Sequence, residues 1–528
     1  MNYSEYALIH ARHIPDKVCL IEKSYNNNTR RTLTWKEFND EINRTANFLS
    51  KKLGIQHNDF VMHLQNNSLE WMITYYAIIR LGAIVVPLNF RFESSDILYA
   101  ANVCKPKAFL FGSEFLPVVI PIKKELLSVK NYICLGDYIS DDKDLIDFKN
   151  IQEYQDISNA MVETNIFHDL AMMFTSGTTG RPKPVIHTHF SLNNTAIGNG
   201  MTYFVQKNDN YLLFLPLYHS GTMFLWAPFY VTGAVGTILK DFKKPEWIIE
   251  TIEREKCTDT LFVVPIATLI LNAIAKGDLK LSDYDLSSWK YMEIGAQPVP
   301  FDIMKSLEKA LPCKVSNIYG ITEGGGGGTF NLYPEDILKK PGSIGKPTFG
   351  VEGKILNEKD EEVEPNIVGE LVFKTPRMMK EYYSNQIQTN KTLKNGWLYT
   401  GDLLKMDEDG YFYIVDRKKD MIISGGENIF PVEIEDALME HPDIDDIACI
   451  GYPDDRLVEI ALAVVQTKSD KKLSEEEIIE FAKTKLALYK VPRKIIFDDV
   501  PRNPTGKLMK PYLREKYSGH RQAFKKLV

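Results

Sequence analysis

Four hydroxyls, two glycines and two cations fall within ten residues: Thr175-Ser176-Gly177-Thr178-Thr179-Gly180-Arg181-Pro182-Lys183-Pro184. Glycine lets backbone N–H groups approach an anion closely, and short hydroxyl side chains add donors. The composition is that of a phosphate cradle. It is not a Walker A loop, which needs Gly-Lys adjacent and then Ser or Thr. Here Arg181 and Pro182 separate Gly180 from Lys183, and the two prolines oppose a helix starting directly at the loop. An ordinary polar hairpin loop has the same composition, so the rest of the chain must decide between the two.

The segments around this loop set its frame. Leu170 to Phe174 leads into it as an apolar run with the length of a buried strand. Upstream, Thr34-Trp35-Lys36-Glu37 forms a capping box, and Gly54 stands where that helix ends. Ser68 caps a second helix from Leu69 to Leu81, stopped by Gly82, and Ala83 to Val86 follows as a strand. Helix, glycine, strand is the rhythm of an α/β sheet. Downstream, Tyr291 to Ile294 leads into Gly295-Ala296-Gln297, and Lys314 to Tyr319 leads into Gly320-Ile321-Thr322-Glu323. Small residues just past strand ends are where open α/β sheets place ligands. The run Gly324 to Gly328 is either a flexible linker, the expectation from five glycines alone, or a place of close backbone approach.

From Gly369 the texture becomes alternating β segments, and Asp416-Arg417-Lys418-Lys419-Asp420 then forms a charged connector. The connector reads as a domain boundary or as an exposed hairpin. Beyond it, a helix from Pro431, strands near Ile447 and Ile460, and a capping box at Ser474 to Glu477 describe a compact α+β unit.

Bulk properties narrow the class. The chain has 528 residues, 44% hydrophobic and 25% charged, with a net charge of −7 and a pI near 5.9. That argues against a nucleic-acid partner. Six scattered cysteines with no CxxC suit a reducing, cytoplasmic setting without structural zinc. The N-terminus carries no pattern of a signal peptide. Tyr211 to Leu239 lacks Asp, Glu, Lys and Arg, but Pro216, His219, Gly221, Pro228, Gly233 and Gly236 break it. It reads as buried core and pocket wall rather than a membrane span.

The motifs TSGTTGRPKP, NIYGITE, LYTGD, DRKKDMIISGGENIFPVEIE and PRNPTGKLMK, in this order, resemble the adenylate-forming acyl-CoA synthetases. That superfamily also includes beetle luciferases and peptide-synthetase adenylation domains. The resemblance covers nearly the whole chain and implies an α/β fold. Its large N-terminal domain, residues 1–418, would join mixed and parallel sheets, helices and a β-rich subdomain around the acid and ATP sites. A small, mobile α+β C-terminal domain, residues 419–528, would carry the catalytic lysine.

The implied reaction uses ATP, Mg²⁺ and coenzyme A with a small carboxylic acid. In it Thr175, Ser176, Gly177, Thr178, Thr179 and Gly180 hold the β- and γ-phosphates, and Lys183 adds positive charge. Glu323, with Thr178, binds Mg²⁺, and Thr322 contacts the α-phosphate. Tyr319 stacks on adenine, with Asn317, Gly295, Ala296 and Gly320 around it. Asp402 accepts the ribose hydroxyls, and Arg417 makes a second ribose or phosphate contact. Lys507, in Pro504-Thr505-Gly506-Lys507, reaches the reacting carboxylate. Lys419 is the hinge, and Ser424, Gly425 and Gly426 form the turn at the pantetheine channel. His219 is either the gate of the acid tunnel or a satisfied core histidine.

This chain departs from the family at three places. Pro184 replaces the usual glycine of the loop, Asp416 replaces a glycine before Arg417, and Pro453 to Glu459 lacks a Trp-Gly pair. Acetate-selective relatives carry Trp where this chain has Gly320, so an open apolar pocket is expected and acetate disfavoured. A medium- or long-chain fatty acid fits such a pocket, and an aryl acid of the benzoate or coumarate type is the alternative. A luciferase-like monooxygenase and a non-catalytic homologue are the readings from other classes. A homodimer is possible.

Overall fold

The strands on either side of the Thr/Gly stretch pair with each other. In the computed structural model, which describes residues 1–138, 142–175, 182–425, 427–454, 456–469, 471–502 and 507–518, β1 (Asp169–Thr175) pairs antiparallel with β2 (Lys183–Thr188), with Thr175 opposite Lys183. Helix α1 (His189–Tyr203) begins only after β2. It is capped by Thr188, whose hydroxyl accepts from the Ser191 N–H at 3.1 Å. The prolines thus separate the loop from any helix, as their chemistry requires. Ser176, Gly177, Thr178, Thr179 and Gly180 lie outside the described residues.

Among the described residues the strands form three sheets, of eight, fourteen and five members. The hairpin belongs to the eight-stranded sheet, next to the strands Ile84–Pro87 and Phe60–Leu64. The Thr34 and Ser68 caps form as the sequence predicts, on helices Trp35–Lys51 and Leu69–Arg80. The fourteen-stranded sheet carries a parallel run: Val235–Leu239, β3 (Asn210–Leu213), β4 (Asp259–Val263), β5 (Tyr291–Gly295) and β6 (Lys314–Tyr319). It continues antiparallel through β7 (Phe330–Leu332) to β8 (Trp397–Met406) and β9 (Phe412–Arg417).

The charge-free stretch becomes β3, helix α2 (Ser220–Thr232) and strand Val235–Leu239, almost all of it buried. Among the described residues no helix is long and apolar enough to cross a membrane. The six cysteines are free thiols and mostly buried, where they pack as small apolar side chains.

The five-stranded sheet lies wholly after the charged connector, packed with α3 (Pro431–Met439) and α4 (Lys510–Ser518). Two ion pairs fasten α4 there: the buried Lys510 to Glu435 at 2.8 Å, and the partly exposed Arg514 to Asp420 at 2.7 Å. The fold is therefore the large and small pair of α/β domains that the motifs imply.

The glycine run corrects one expectation. Gly324 to Gly328 is not a linker but a packed turn, buried at every position except the partly exposed Gly327. A Cβ on Gly324 would sit 2.4 Å from the Phe373 ring, and one on Gly326, which has φ +75°, would sit 2.5 Å from Phe224. Real Cβ atoms do not approach that closely, so the close-approach reading holds. A second correction concerns the pocket. A Cβ on Gly320 would lie 1.8 Å from the Gly326 carbonyl oxygen. Backbone, not open volume, occupies the space beside Gly320.

Candidate active site

The site forms where β5, β6, β8 and β9 end beside the small domain. Tyr319 is the last residue of β6, and its phenol donates to Asp402 Oδ2 at 2.6 Å. Asp402 sits opposite Arg417 in the β8–β9 ladder, and Arg417 Nε lies 3.2 Å from Asp402 Oδ1. Both oxygens of one buried carboxylate are thus oriented, and each keeps a lone pair for a further donor. A diol with two O–H groups is the ligand that matches.

Glu323 lies one turn further on. Its Oε1 accepts from the Tyr382 phenol at 2.7 Å, and Lys183 Nζ stands 4.9 Å above the same ring. Lys183 and Glu323 therefore share one corner, which Thr175 enters from the hairpin. Burial lowers Lys183 from its ordinary range, and the Glu323 charge opposes that shift. Thr322 is fixed twice: its hydroxyl meets Ser220 Oγ at 2.8 Å, and its carbonyl lies 2.9 Å from His187 Nε2.

His219 is the N-cap of α2, its Nδ1 accepting from the Gly221 N–H at 3.1 Å. Burial, assisted by the charge of Lys507, holds its pKa down at about 4, so the ring is neutral at pH 7. Lys507 comes from the far end of the chain to the same enclosure. Burial and the Arg417 charge lower its pKa to about 8, while Asp402 and Glu323 oppose the shift. One lysine that feels Arg417, Asp402, Glu323 and His219 together stands among the groups that would surround an adenylate.

Backbone geometry explains the small residues. A Cβ at Gly295 would lie 2.4 Å from the Ile318 carbonyl, so only glycine fits. Ala296 follows with φ +70°, a left-handed conformation that costs about 1 kcal/mol for a residue other than glycine. Asn317 shares the face of Tyr319 on β6, and its amide donates to the Ser343 carbonyl at 2.9 Å. Lys419 stands at the connector, close enough for its charge to interact with Arg417 and Asp402.

The structure does not bring every motif together. Ser424 pairs with Glu427 and Val458, and the Gly425 N–H donates to the Leu457 carbonyl at 2.9 Å, all within the small domain. Gly426 lies outside the described residues. Sequence reasoning missed Tyr382 and His187, which fix Glu323 and Thr322. Neither stands in a recognised motif.

A single carboxylate beside a phosphate-binding corner suits Mg²⁺, which is commonly held by one or two carboxylates and substrate phosphates. Among the described residues no group of three or more His, Cys, Asp and Glu side chains forms a protein-only metal cage. The second oxygen of Glu323 has no hydrogen-bond partner among the described residues, so the donor set fits a shared ion.

Known proteins carry the same assembly. The AMP-binding enzyme family matches residues 9–383, and its C-terminal domain matches residues 433–507. A long-chain-fatty-acid–CoA ligase, FadD13 of Mycobacterium tuberculosis, is 33% identical over 92% of this chain and 93% of its own length. The anthranilate CoA ligase AuaEII in complex with anthranoyl-AMP is 26% identical with a TM-score of 0.85, covering 98% of this chain and 97% of that one. The O-succinylbenzoate coenzyme A synthetase of Bacillus subtilis, in complex with ATP and a magnesium ion, is 26% identical with a TM-score of 0.83 over 97% and 99%. With both family regions present in order, this chain belongs to the AMP-binding enzyme family, among its acyl-CoA ligases.

Proposed function

We propose that the chain activates a carboxylic acid with an apolar body, a medium-chain fatty acid or an aryl acid, and passes the acyl group to coenzyme A. The carboxylate oxygen attacks the α-phosphorus of ATP, the bond to the β-phosphate breaks, and pyrophosphate leaves. A thiolate then attacks the acyl carbonyl, the bond to the phosphate oxygen breaks, and AMP leaves. Two anions must meet in the first step, so cations and N–H donors must offset their charge.

The observation that carries this reading is Lys507, drawn from beyond the connector into the enclosure of Asp402, Arg417, Glu323 and His219. In this reading Lys507 holds the reacting carboxylate, and Asp402 with Arg417 holds the ribose. Tyr319 and Ala296 flank adenine, and Thr322 orients the α-phosphate. Lys183, with Thr175 and the loop after it, holds the leaving pyrophosphate. Mg²⁺ beside Glu323 would supply further positive charge there. His219, neutral and locked as a helix cap, walls the acid site rather than carrying protons. Residues 1–418 and 419–528 act as the two domains, with Lys419 as the hinge. The second half-reaction needs the small domain rotated, since Ser424 and Gly425 lie apart from the site.

The medium-chain and aryl readings gain from one feature. The Gly326 carbonyl closes the space beside Gly320, which bounds the pocket and disfavours a straight long-chain tunnel at that point. Acid-dependent pyrophosphate release over a panel of fatty and aryl acids, with and without coenzyme A, tests the whole reading. Release with no acid of the panel would overturn it.

A further inference from the structure

One face of the fourteen-stranded sheet runs from the reaction centre to a buried cluster of polar side chains. Side chains alternate along a strand, so Gly295 and Glu293 share a face of β5, and Gly320, Ile318 and Ser316 share it on β6. The register sets Glu293 beside both Ser316 and Leu261, Ile318 opposite Asn331, and Tyr211 beside Asp259. Helix α2 covers this face. A Cβ on Gly221 would point at Leu261, Leu225 lies against Gly327, and the Phe229 ring stands 4.7 Å from that of Tyr211. Between His219 and the polar side chains, Leu225 of α2 therefore forms an apolar layer with Leu261 and Ile318 of the sheet.

Those polar groups have no partners. Tyr203 Oη, Tyr211 Oη, Glu293 Oε2, Ser316 Oγ and Asn331 Oδ1 are all buried without a hydrogen bond among the described residues. Their side chains are at most 7% exposed. An unpaired buried polar atom is costly, and five gathered at one face exceed what a core tolerates by chance. Burial, with the nearby Asp259, raises Glu293 well above the usual carboxylate range, which favours its protonated, donating form. Gly328 leaves room for the Tyr203 phenol, since a Cβ there would sit 2.9 Å from its oxygen. Arg377 lies near Tyr203, but its guanidinium is engaged by Asn199 Oδ1 at 3.0 Å, the Gly328 carbonyl at 3.2 Å and the Phe349 carbonyl. With Glu293 and Asp259 close by, a second carboxylate would meet acids on the floor, whereas a neutral hydroxyl would find both donors and acceptors.

We propose that the acyl pocket ends on a polar floor of Tyr203, Tyr211, Glu293, Ser316 and Asn331, and that the preferred acid carries a hydroxyl about 7 to 10 Å from its carboxyl group. The length follows from the two residues that separate Glu293 from Gly295, which borders the adenylate in the proposed reading. Both a phenolic acid and an omega-hydroxy fatty acid carry that chemistry. The inference rests on the reading of the chain as an acid-activating ligase.

The test compares matched pairs on the full-length enzyme: para-hydroxycinnamate against cinnamate, and omega-hydroxyoctanoate against octanoate. Acid-dependent pyrophosphate release gives kcat/KM for each. A floor built to hydrogen-bond a hydroxyl favours the hydroxy acid of at least one pair by about 10-fold or more. The pair with the larger ratio identifies an aryl or an aliphatic body. Tyr203→Phe and Ser316→Ala, which remove one oxygen each, should reduce that ratio by about 5- to 10-fold, with thermal melting checked for each variant. If plain acids are used as well as hydroxy acids, and the variants leave the ratio unchanged, the floor proposal is overturned while the ligase stands. Absence of pyrophosphate release with all four acids and with the wider panel would instead overturn the ligase reading.

Discussion

Tyr319 and Asp402 come from distant strands, yet the phenol of one donates to the carboxylate of the other at 2.6 Å. With Arg417 on the opposite oxygen, the carboxylate is held in one plane before any nucleotide arrives. Preorganisation of this kind lowers the ordering cost of binding. Tyr319→Phe keeps the ring that would stack on adenine and removes only the bond. Its KM for ATP should rise about 10- to 100-fold, the equivalent of one hydrogen bond to a charged group, with kcat little changed. A steady-state titration of ATP checks this, and an unaltered KM would show that Asp402 needs no such support.

Lys507 separates the two half-reactions. Lys507→Ala should reduce adenylation by about 100- to 1000-fold, the size of effect seen when one stabilising group is lost from a developing charge. Thioester formation from preformed adenylate should fall far less. Equal losses in both would remove the role assigned here.

The same lysine gives a pH dependence with a defined sign. Its pKa is lowered to about 8, below the ordinary range of a lysine, so the charged form is present below that pH and is lost as pH rises through it. Adenylation needs the cation. The kcat/KM for the acid, which reports the free enzyme, should therefore decline on an alkaline limb centred near pH 8. Lys507→Arg stays charged throughout, and the limb should vanish in it even if the plateau is lower. An alkaline limb that persists in the arginine variant would assign the titration to another group.

Lys419 provides a test of domain rotation. Its neighbours are tied back, the Lys418 N–H to the Gly401 carbonyl and the Asp420 N–H to the Arg417 carbonyl, both at 2.9 Å. Asp416 Oδ2, on the other side of the connector, accepts from the Val432 N–H at 3.0 Å. The Lys419 N–H itself makes no hydrogen bond among the described residues, so proline there restricts φ without removing a bond. Lys419→Pro should keep acid-dependent pyrophosphate release within about 3-fold of the unaltered enzyme and lower acyl-CoA formation by more than 100-fold. Normal acyl-CoA output would place the hinge elsewhere.

Gly320 and Gly326 form one packing unit. Gly320→Ala would drive a methyl group into the Gly326 carbonyl, 1.8 Å from its Cβ position. Backbone cannot give as a flexible side chain does, so a loss of about 2 kcal/mol or more is expected. Denaturant unfolding of the two proteins measures it. A variant as stable as the parent would mean that the glycine run relaxes freely.

Much of this was legible in the residues. The caps at Thr34, Ser68 and Ser474, the strands leading to Gly295 and Gly320, and the helix from Pro431 are local matters of propensity and hydrogen bonding, and they form as read. The glycine run was misread because its function is steric. Phe224, Phe373 and Arg377, which press on it, lie 50 to 100 residues away in either direction, and no local rule carries their positions.

The sequence by itself determined the family: the motifs around Thr175, Glu323, Asp402, Arg417 and Lys507 stand in the order of the AMP-binding enzymes, and the proposed phosphate corner, ribose acceptor and mobile cation follow from that resemblance. Only the tertiary structure decided which of these meet and what lies beneath them. Register brings Glu293 to Ser316, and the packing of α1 and α2 over that face sets Tyr203 and Tyr211 around them. A strand's alternation shows that two residues share a face, but not which partners share it from other strands. That depends on long-range pairing, and it is why the floor of the pocket appears only in the folded chain.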